Sequence, residues 1–261
     1  MFTPYMVSFY INTFSSHMKE VRYFYAPEAA TTDQLPDEEA RHALRVLRLQ
    51  SGDEMYLMDG KGNFYHAEVT LTASKRCLYK ITETLPQTKT WKGNIHLAVA
   101  PTKMMERVEW MSEKATEIGF DEITFLECRF SERKQMRIDR IEKIVISAVK
   151  QSRKAYMPAV NDLTSFSEFI KKPIKGRKYI AHCYDEIEKK DFYEEISAPC
   201  HSEDDENITI MIGPEGDFSI DEVRNAIDAG FIPVSLGESR LRTETAGLSA
   251  VMMSSLARRK K

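Results

Sequence analysis

The chain reads as a two-part α/β protein, a small β-rich unit followed by a larger unit built on a parallel sheet. Three observations predict this. Short strands with a single helix occupy 21–85. From Gly93 onward, apolar runs of strand length alternate with helical periodicity, the pattern of a parallel sheet with crossover helices. Between them, 86–92 is polar, carries a proline and reads as a linker.

In the first part, 38–49 has helical periodicity, and 54–58, 64–71 and 78–83 read as strands between the turns Ser51-Gly52-Asp53 and Asp59-Gly60-Lys61-Gly62. A small β-barrel is expected. Gly60-Lys61-Gly62 lacks a third glycine and sits in a hairpin, so it is no dinucleotide fingerprint. In the second part, strands are expected at 95–100, 123–128, 179–183, 208–212 and 233–236, short apolar runs of the kind buried on both faces. Met104, Val108, Met111, Ala115 and Ile118 recur at spacings of four and three, one apolar helical face closed by Gly119, which reads as core. Further helices are expected at 138–154, 219–229 and 243–258. The acid-rich stretch 186–207 reads as an excursion of limited order.

At 261 residues the chain can bury a core in each part without disulfides or metal. The net charge of -3 hides a segregation. Between Arg129 and Lys154 nine lysines and arginines face three acids, whereas between Asp185 and Glu206 ten acids face two lysines. A basic face of this kind fits a nucleic-acid partner. Cys77, Cys128, Cys183 and Cys200 form no C-x-x-C or Cys/His cluster, so no metal site is expected and reduced cytoplasmic thiols are the simplest reading. Residues 1–20 are expected to be an N-terminal extension. Met1 to His17 has neither a basic n-region nor a small-residue cleavage site, and Met18 would itself make a natural start. No membrane segment is expected.

The most informative stretch is Ile212-Gly213-Pro214-Glu215-Gly216-Asp217-Phe218-Ser219, together with Ser235-Leu236-Gly237-Glu238-Ser239-Arg240-Leu241-Arg242-Thr243-Glu244-Thr245-Ala246-Gly247. Each is a glycine turn that closes an apolar strand and opens a helix, where exposed backbone N–H groups hold small polar ligands. Ser219 with Glu222 is a capping box and Thr243 an N-cap candidate. Capping leaves the Gly-Pro-Glu-Gly turn and the Arg-Thr-Glu-Thr-Ala helix entry unexplained. The pair is therefore the expected cofactor site.

These two segments resemble the C-terminal signature of the SPOUT methyltransferases, and within them the RsmE family, which methylates N3 of a uridine in 16S ribosomal RNA. Pro101-Thr102-Lys103, Glu113 to Gly119, Arg129-Phe130-Ser131, Gln151-Ser152 with Pro158, Arg22-Tyr23-Phe24 and His42 to Arg48 extend the match from about residue 21 to the end. The resemblance implies a PUA-like β-barrel RNA-binding domain at 21–85 and a SPOUT domain at 93–261 whose C-terminal strands and last helix form a deep trefoil knot. It implies S-adenosyl-L-methionine bound against the knot loops, 16S rRNA or the small ribosomal subunit as substrate, and a homodimer joined through the C-terminal domain. Another SPOUT methyltransferase, or a non-catalytic RNA-binding assembly factor, would carry similar loops.

Methyl transfer from a sulfonium to uracil N3 is an in-line displacement that needs no metal. It needs aligned reactants, a donor aimed at the charge developing on the imide, and a proton acceptor. Arg242 is the first candidate for the electrostatic role because its planar fork precedes a helix beside the cofactor loop. Glu244 is the candidate to orient Arg242 or accept the proton. Ile212, Gly213, Pro214, Glu215, Gly216, Leu236, Gly237, Leu241, Thr243, Thr245 and Ala246 are expected around the cofactor. Lys103, Arg129, Arg133 and Lys154 are candidates for RNA phosphate, with Gln151 and Ser152 nearer the target base. In the family a Gly-Arg commonly follows the Gln-Ser, whereas Arg153-Lys154 stands here. His42, Arg45 and Arg48, three residues apart, are expected on one helical face that tracks RNA backbone.

Overall fold

The structure, a computed structural model, describes residues 22–73 and 75–260. The expected extension at 1–20 lies outside them. A four-stranded sheet and a seven-stranded sheet follow one another along the chain.

The small sheet has the order β1 (Tyr23–Tyr25), β2 (Glu54–Met58), β3 (Asn63–Ala73), β4 (Arg76–Pro86). β1 pairs parallel to β2, and the rest is antiparallel. On the far side of β4, Leu35 and Tyr79 exchange backbone bonds with Cys77 and Asp33, so the loop after β1 wraps round the sheet. The last partner of the small sheet is thus a loop. Its core gathers Phe24, Leu35, Met55, Leu57, Ala67, Val69 and Cys77, and burial in that core pushes the Cys77 thiol pKa up.

The expected helix at 38–49 is shorter and changes pitch. α1 (Asp37–Arg41) passes into a π-helical turn over His42–Val46. Leu47 N–H reaches back five residues to the His42 carbonyl, and Arg48 lies beyond the helix in left-handed geometry, φ 53°. A π turn does not align every third residue, so the predicted single face of His42, Arg45 and Arg48 is lost. The His42 ring instead makes an edge-type contact with the Phe24 ring. Acids on α1 hold the larger unit, Glu39 meeting Lys150 at 2.6 Å and Glu38 meeting Lys143 at 3.9 Å.

The large sheet is entirely parallel, in the order β7 (Ala159–Ser165), β6 (Glu122–Glu127), β5 (Ile95–Val99), β10 (Ile208–Ile212), β8 (Arg177–Ala181), β11 (Ile232–Ser235), β9 (Lys190–Asp191). β5 and β10 are buried at every residue, as continuous apolar runs require, and each fully buried side chain contributes about 1.5–3 kcal/mol. One face, with Leu97, Val99, Phe125, Ile210 and Ile212, packs against α2 (Met105–Ile118), α3 (Ile138–Ser152) and α7 (Thr243–Ala257). The other, with Ala98, Leu126, Ile180 and Met211, packs against α4 (Phe166–Phe169) and α6 (Ile220–Asp228).

Four expectations change. The stretch 186–207 is ordered, carrying β9, α5 (Phe192–Ser197) and a 3-10 turn, because Phe192 and Ile196 insert fully into the core. β7 joins the sheet at its edge and α4 packs on one face, both unpredicted. The linker at 86–92 is anchored, since buried Trp91 donates from Nε1 to Asp121 at 2.8 Å and Lys89 pairs with Asp121 at 2.6 Å. Met104 stands before α2, 49% exposed, while Val108, Met111 and Ala115 form its core face.

Candidate active site

The carboxyl ends of β8, β10 and β11 open onto a cavity of about 400 Å³ that the first turns of α2 and α7 close from above. This is where open parallel sheets hold ligands, and the size lies within the roughly 300–1,000 Å³ of small-molecule sites.

Two loops make its walls. After β10, Gly213 and Pro214 turn away from the sheet, and a Cβ at Gly213 would stand 3.0 Å from the Phe218 nitrogen. Asp217, at φ 67°, locks this loop by accepting from Phe218 N and from Cys183 N at 2.8 and 2.7 Å. α6 then starts with the expected capping box of Ser219 and Glu222. After β11, Gly237 sits at φ 120°, a region that L side chains rarely adopt, so this position calls for glycine through its backbone. A Cβ there would meet nothing within 4 Å. The cap of α7 is Arg242, not the expected Thr243. Thr243 is free for another bond, and its hydroxyl donates to the Gly213 carbonyl at 3.1 Å, tying the two loops together.

Of the residues expected around the cofactor, Ile212, Gly213, Pro214, Glu215, Leu236, Gly237, Leu241, Thr243 and Ala246 line the cavity, as do Arg242 and Glu244. Gly216 and Thr245 do not: both are exposed and point out of it, Gly216 toward Phe130 and Thr245 from the outer side of α7. Glu215 accepts from the Lys103 backbone N–H at 2.8 Å, which pins the loop after β5 to the cavity mouth.

Glu244 is not the partner of Arg242. It is 7% exposed and meets Arg107 of α2 at 3.3 Å, while its Oε2 is buried with no partner. Arg242 is exposed and its side chain makes no hydrogen bond or ion pair among the described residues. Sequence reasoning missed Arg107, His182, Cys183, Asp217 and Arg240, all of which line the cavity. His182 accepts from Tyr184 N through Nδ1 at 3.2 Å, so its proton is on Nε2, which is buried without an acceptor. Burial, and secondly Lys189, hold its pKa below the ordinary value.

The predicted RNA residues divide. Arg133 donates to the backbone carbonyls of Thr102 and Lys103, and Lys103 Nζ meets Glu132 at 2.8 Å, so both shape the cavity mouth. Arg129 binds the start of α6 through its N–H to Glu222 at 2.8 Å and its guanidinium to Asp221 at 3.4 Å. Gln151, Ser152 and Lys154 end α3 just before β7 begins, which in a parallel sheet is the end opposite the cavity. The structure therefore does not bring them to the site. Ser152 donates to Ala148 O at 2.6 Å, and half-buried Lys154 lies 5.8 Å from the Trp91 ring, its pKa lowered by burial.

Comparison with known proteins agrees with this architecture. Residues 89–255 match the model of an RNA methyltransferase domain, and residues 35–82 that of an RNA methyltransferase PUA domain. Among solved structures, the "probable rRNA-methyltransferase" of Porphyromonas gingivalis is 42% identical, with a TM-score of 0.83 over 91% of this chain and 98% of the other. A ribosomal RNA small subunit methyltransferase E from Neisseria gonorrhoeae, bound to S-adenosyl methionine, is 31% identical, with a TM-score of 0.75 over 89% of this chain and 95% of the other. A protein of the same name from Rickettsia conorii is 27% identical over 82% of this chain and 85% of its own. The chain belongs to the RNA methyltransferase family, within its ribosomal RNA small subunit methyltransferase E branch.

Proposed function

We propose that the protein transfers a methyl group from S-adenosyl-L-methionine to N3 of a uridine in 16S ribosomal RNA. The observation that carries the reading is the cavity walled by two glycine loops that Thr243 ties to Gly213, in a chain of this family. The residues suit the cofactor: Ile212, Leu236, Leu241 and Ala246 offer apolar contact, the loops offer backbone groups, and Glu244 offers a buried unpartnered oxygen. When bound, the cofactor supplies a methyl already activated by positively charged sulfur.

The protein's own part is positioning and electrostatics. Arg242, unpaired at the mouth, donates to the carbonyl oxygens of uracil as charge develops on the imide. Glu215, through Lys103, fixes the loop across which the RNA enters. Lys103, Arg129 and Arg45 contact phosphate, while Gln151, Ser152 and Lys154 touch RNA away from the cavity. The division into an RNA-binding unit at 21–85 and a catalytic unit at 93–261, a trefoil knot formed by the C-terminal strands and α7, a homodimer through that unit and a cytoplasmic location belong to the same reading.

The test is incubation of unmodified small ribosomal subunits with the protein and labelled cofactor, followed by nucleoside analysis. The expected product is 3-methyluridine. A different methylated nucleoside would overturn the acceptor, and no transfer at all would overturn the activity.

A further inference from the structure

The cavity contains one feature that loop geometry does not account for. α2 and α7 pack closely because Gly247 leaves room for Met111, whose Sδ would lie 2.8 Å from a Cβ at that position. One turn earlier on each helix stand Arg107 and Glu244. Their ion pair is lopsided: Oε1 of Glu244 meets Arg107 at 3.3 Å, and Oε2 is buried with no donor. An unsatisfied buried carboxylate oxygen is costly, and native structures keep few of them. Arg107, for its part, spends only one edge of its guanidinium on Glu244, has no other partner among the described residues, and lines the same cavity. The other cavity carboxylates are engaged, Asp217 through both oxygens and Glu215 with the Lys103 N–H.

We infer that Arg107 and Glu244 form the subsite for an amino-acid zwitterion, the methionyl end of the cofactor. Oε2 of Glu244 accepts from the α-ammonium, and the free edge of the Arg107 guanidinium donates to the α-carboxylate. Opposite charges side by side on the protein meet opposite charges side by side on the ligand, so neither the pair nor the zwitterion is left half-satisfied. The pair thereby sets which end of the cofactor lies under α2 and α7, and so directs the methyl toward the mouth. This inference rests on the cofactor reading above.

Calorimetry with three ligands separates the possibilities: S-adenosylmethionine, S-adenosylhomocysteine, which keeps the zwitterion but not the sulfonium charge, and methylthioadenosine, which lacks the amino acid. Glu244→Gln should weaken the first two by about 10- to 100-fold, because a neutral amide replaces the carboxylate that faces the ammonium, and leave the third within about twofold. Arg107→Lys, which keeps charge without the fork, should weaken the same two and spare the third, in a protein with wild-type thermal unfolding. Equal weakening of all three would make the pair a brace for α2 and α7. Weakening of S-adenosylmethionine alone would assign Glu244 to the sulfonium. Unchanged binding would also overturn the subsite while leaving the cofactor reading intact, and a wild-type protein that binds methylthioadenosine alone would do the same. Failure of the wild type to bind any of the three would overturn both.

Discussion

The Thr243 hydroxyl donates to the Gly213 carbonyl at 3.1 Å across thirty residues of sequence. That bond joins the loop after β10 to the start of α7, so the two walls of the cavity are one mechanical unit. Thr243→Val keeps the shape and removes the donor, which leaves a buried carbonyl unpaired. The expected loss is about 1–3 kcal/mol in chemical denaturation, with a parallel loss of cofactor affinity by calorimetry. Thr243→Ser should retain most of both, and a valine variant of unchanged stability would show that the loops stand independently.

Gly237 makes a second demand on the same wall. Its φ of 120° is strained for any L residue, although a Cβ there meets nothing within 4 Å. Gly237→Ala should therefore destabilise the loop by about 1–3 kcal/mol through backbone strain alone. The check is thermal unfolding of alanine and valine variants: similar losses would locate the penalty in φ, whereas a much larger loss for valine would locate it in packing.

His182 gives the site a pH dependence. Its folded pKa lies below the ordinary 6.5 because burial disfavours the imidazolium. In the unfolded chain the ring protonates as pH falls through about 6.5, while the folded ring stays neutral until its lower pKa. The unfolded state therefore binds more protons in that window, and stability falls as pH drops through it. His182→Asn should flatten the slope of unfolding free energy against pH below about 6.5. An unchanged slope would mean that another group governs it.

The RNA residues of the small unit were half legible. Spacing alone put His42, Arg45 and Arg48 on one face, but the π turn moves them apart. Arg45 instead shares a hollow of about 230 Å³ with Arg41, Lys75, Leu44 and one acid, Asp37; none of the three cations has a side-chain partner among the described residues. If RNA phosphate lies there, Arg41→Ala with Arg45→Ala should flatten the salt dependence of RNA binding by about one unit for each phosphate no longer held. His42→Ala should leave it alone, and the reverse pattern would restore the face that spacing predicts.

The strands at 95–99 and 208–212 could be read from sequence because residues buried on both faces leave an unbroken apolar run. β7 escaped for the opposite reason: at the sheet edge, Ala159-Val160-Asn161-Asp162 is half-exposed and mixed in polarity. α5 escaped because three acids, Asp191, Glu194 and Glu195, surround the two side chains, Phe192 and Ile196, that bury it. The glycine loops announced the cavity, since local backbone demands are written locally. Arg107 could not be found that way. Its role depends on α2 crossing α7 at Gly247, a tertiary contact that no spacing encodes.

Arg242 carries the chemical part of the proposal. Glu244 is taken by Arg107, so nothing braces Arg242, and its guanidinium is exposed at the cavity mouth. With no partner among the described residues, the guanidinium is free to meet substrate. If it stabilises the developing imide charge, Arg242→Ala should leave cofactor affinity within about threefold and lower single-turnover methylation by about two to three orders of magnitude. Arg242→Lys should recover only part of the rate, because a point charge cannot grip a carbonyl as the planar fork does. Parallel loss of cofactor binding and rate would instead assign Arg242 to the loop, and the electrostatic role would pass to Arg240, the other exposed arginine that lines the cavity.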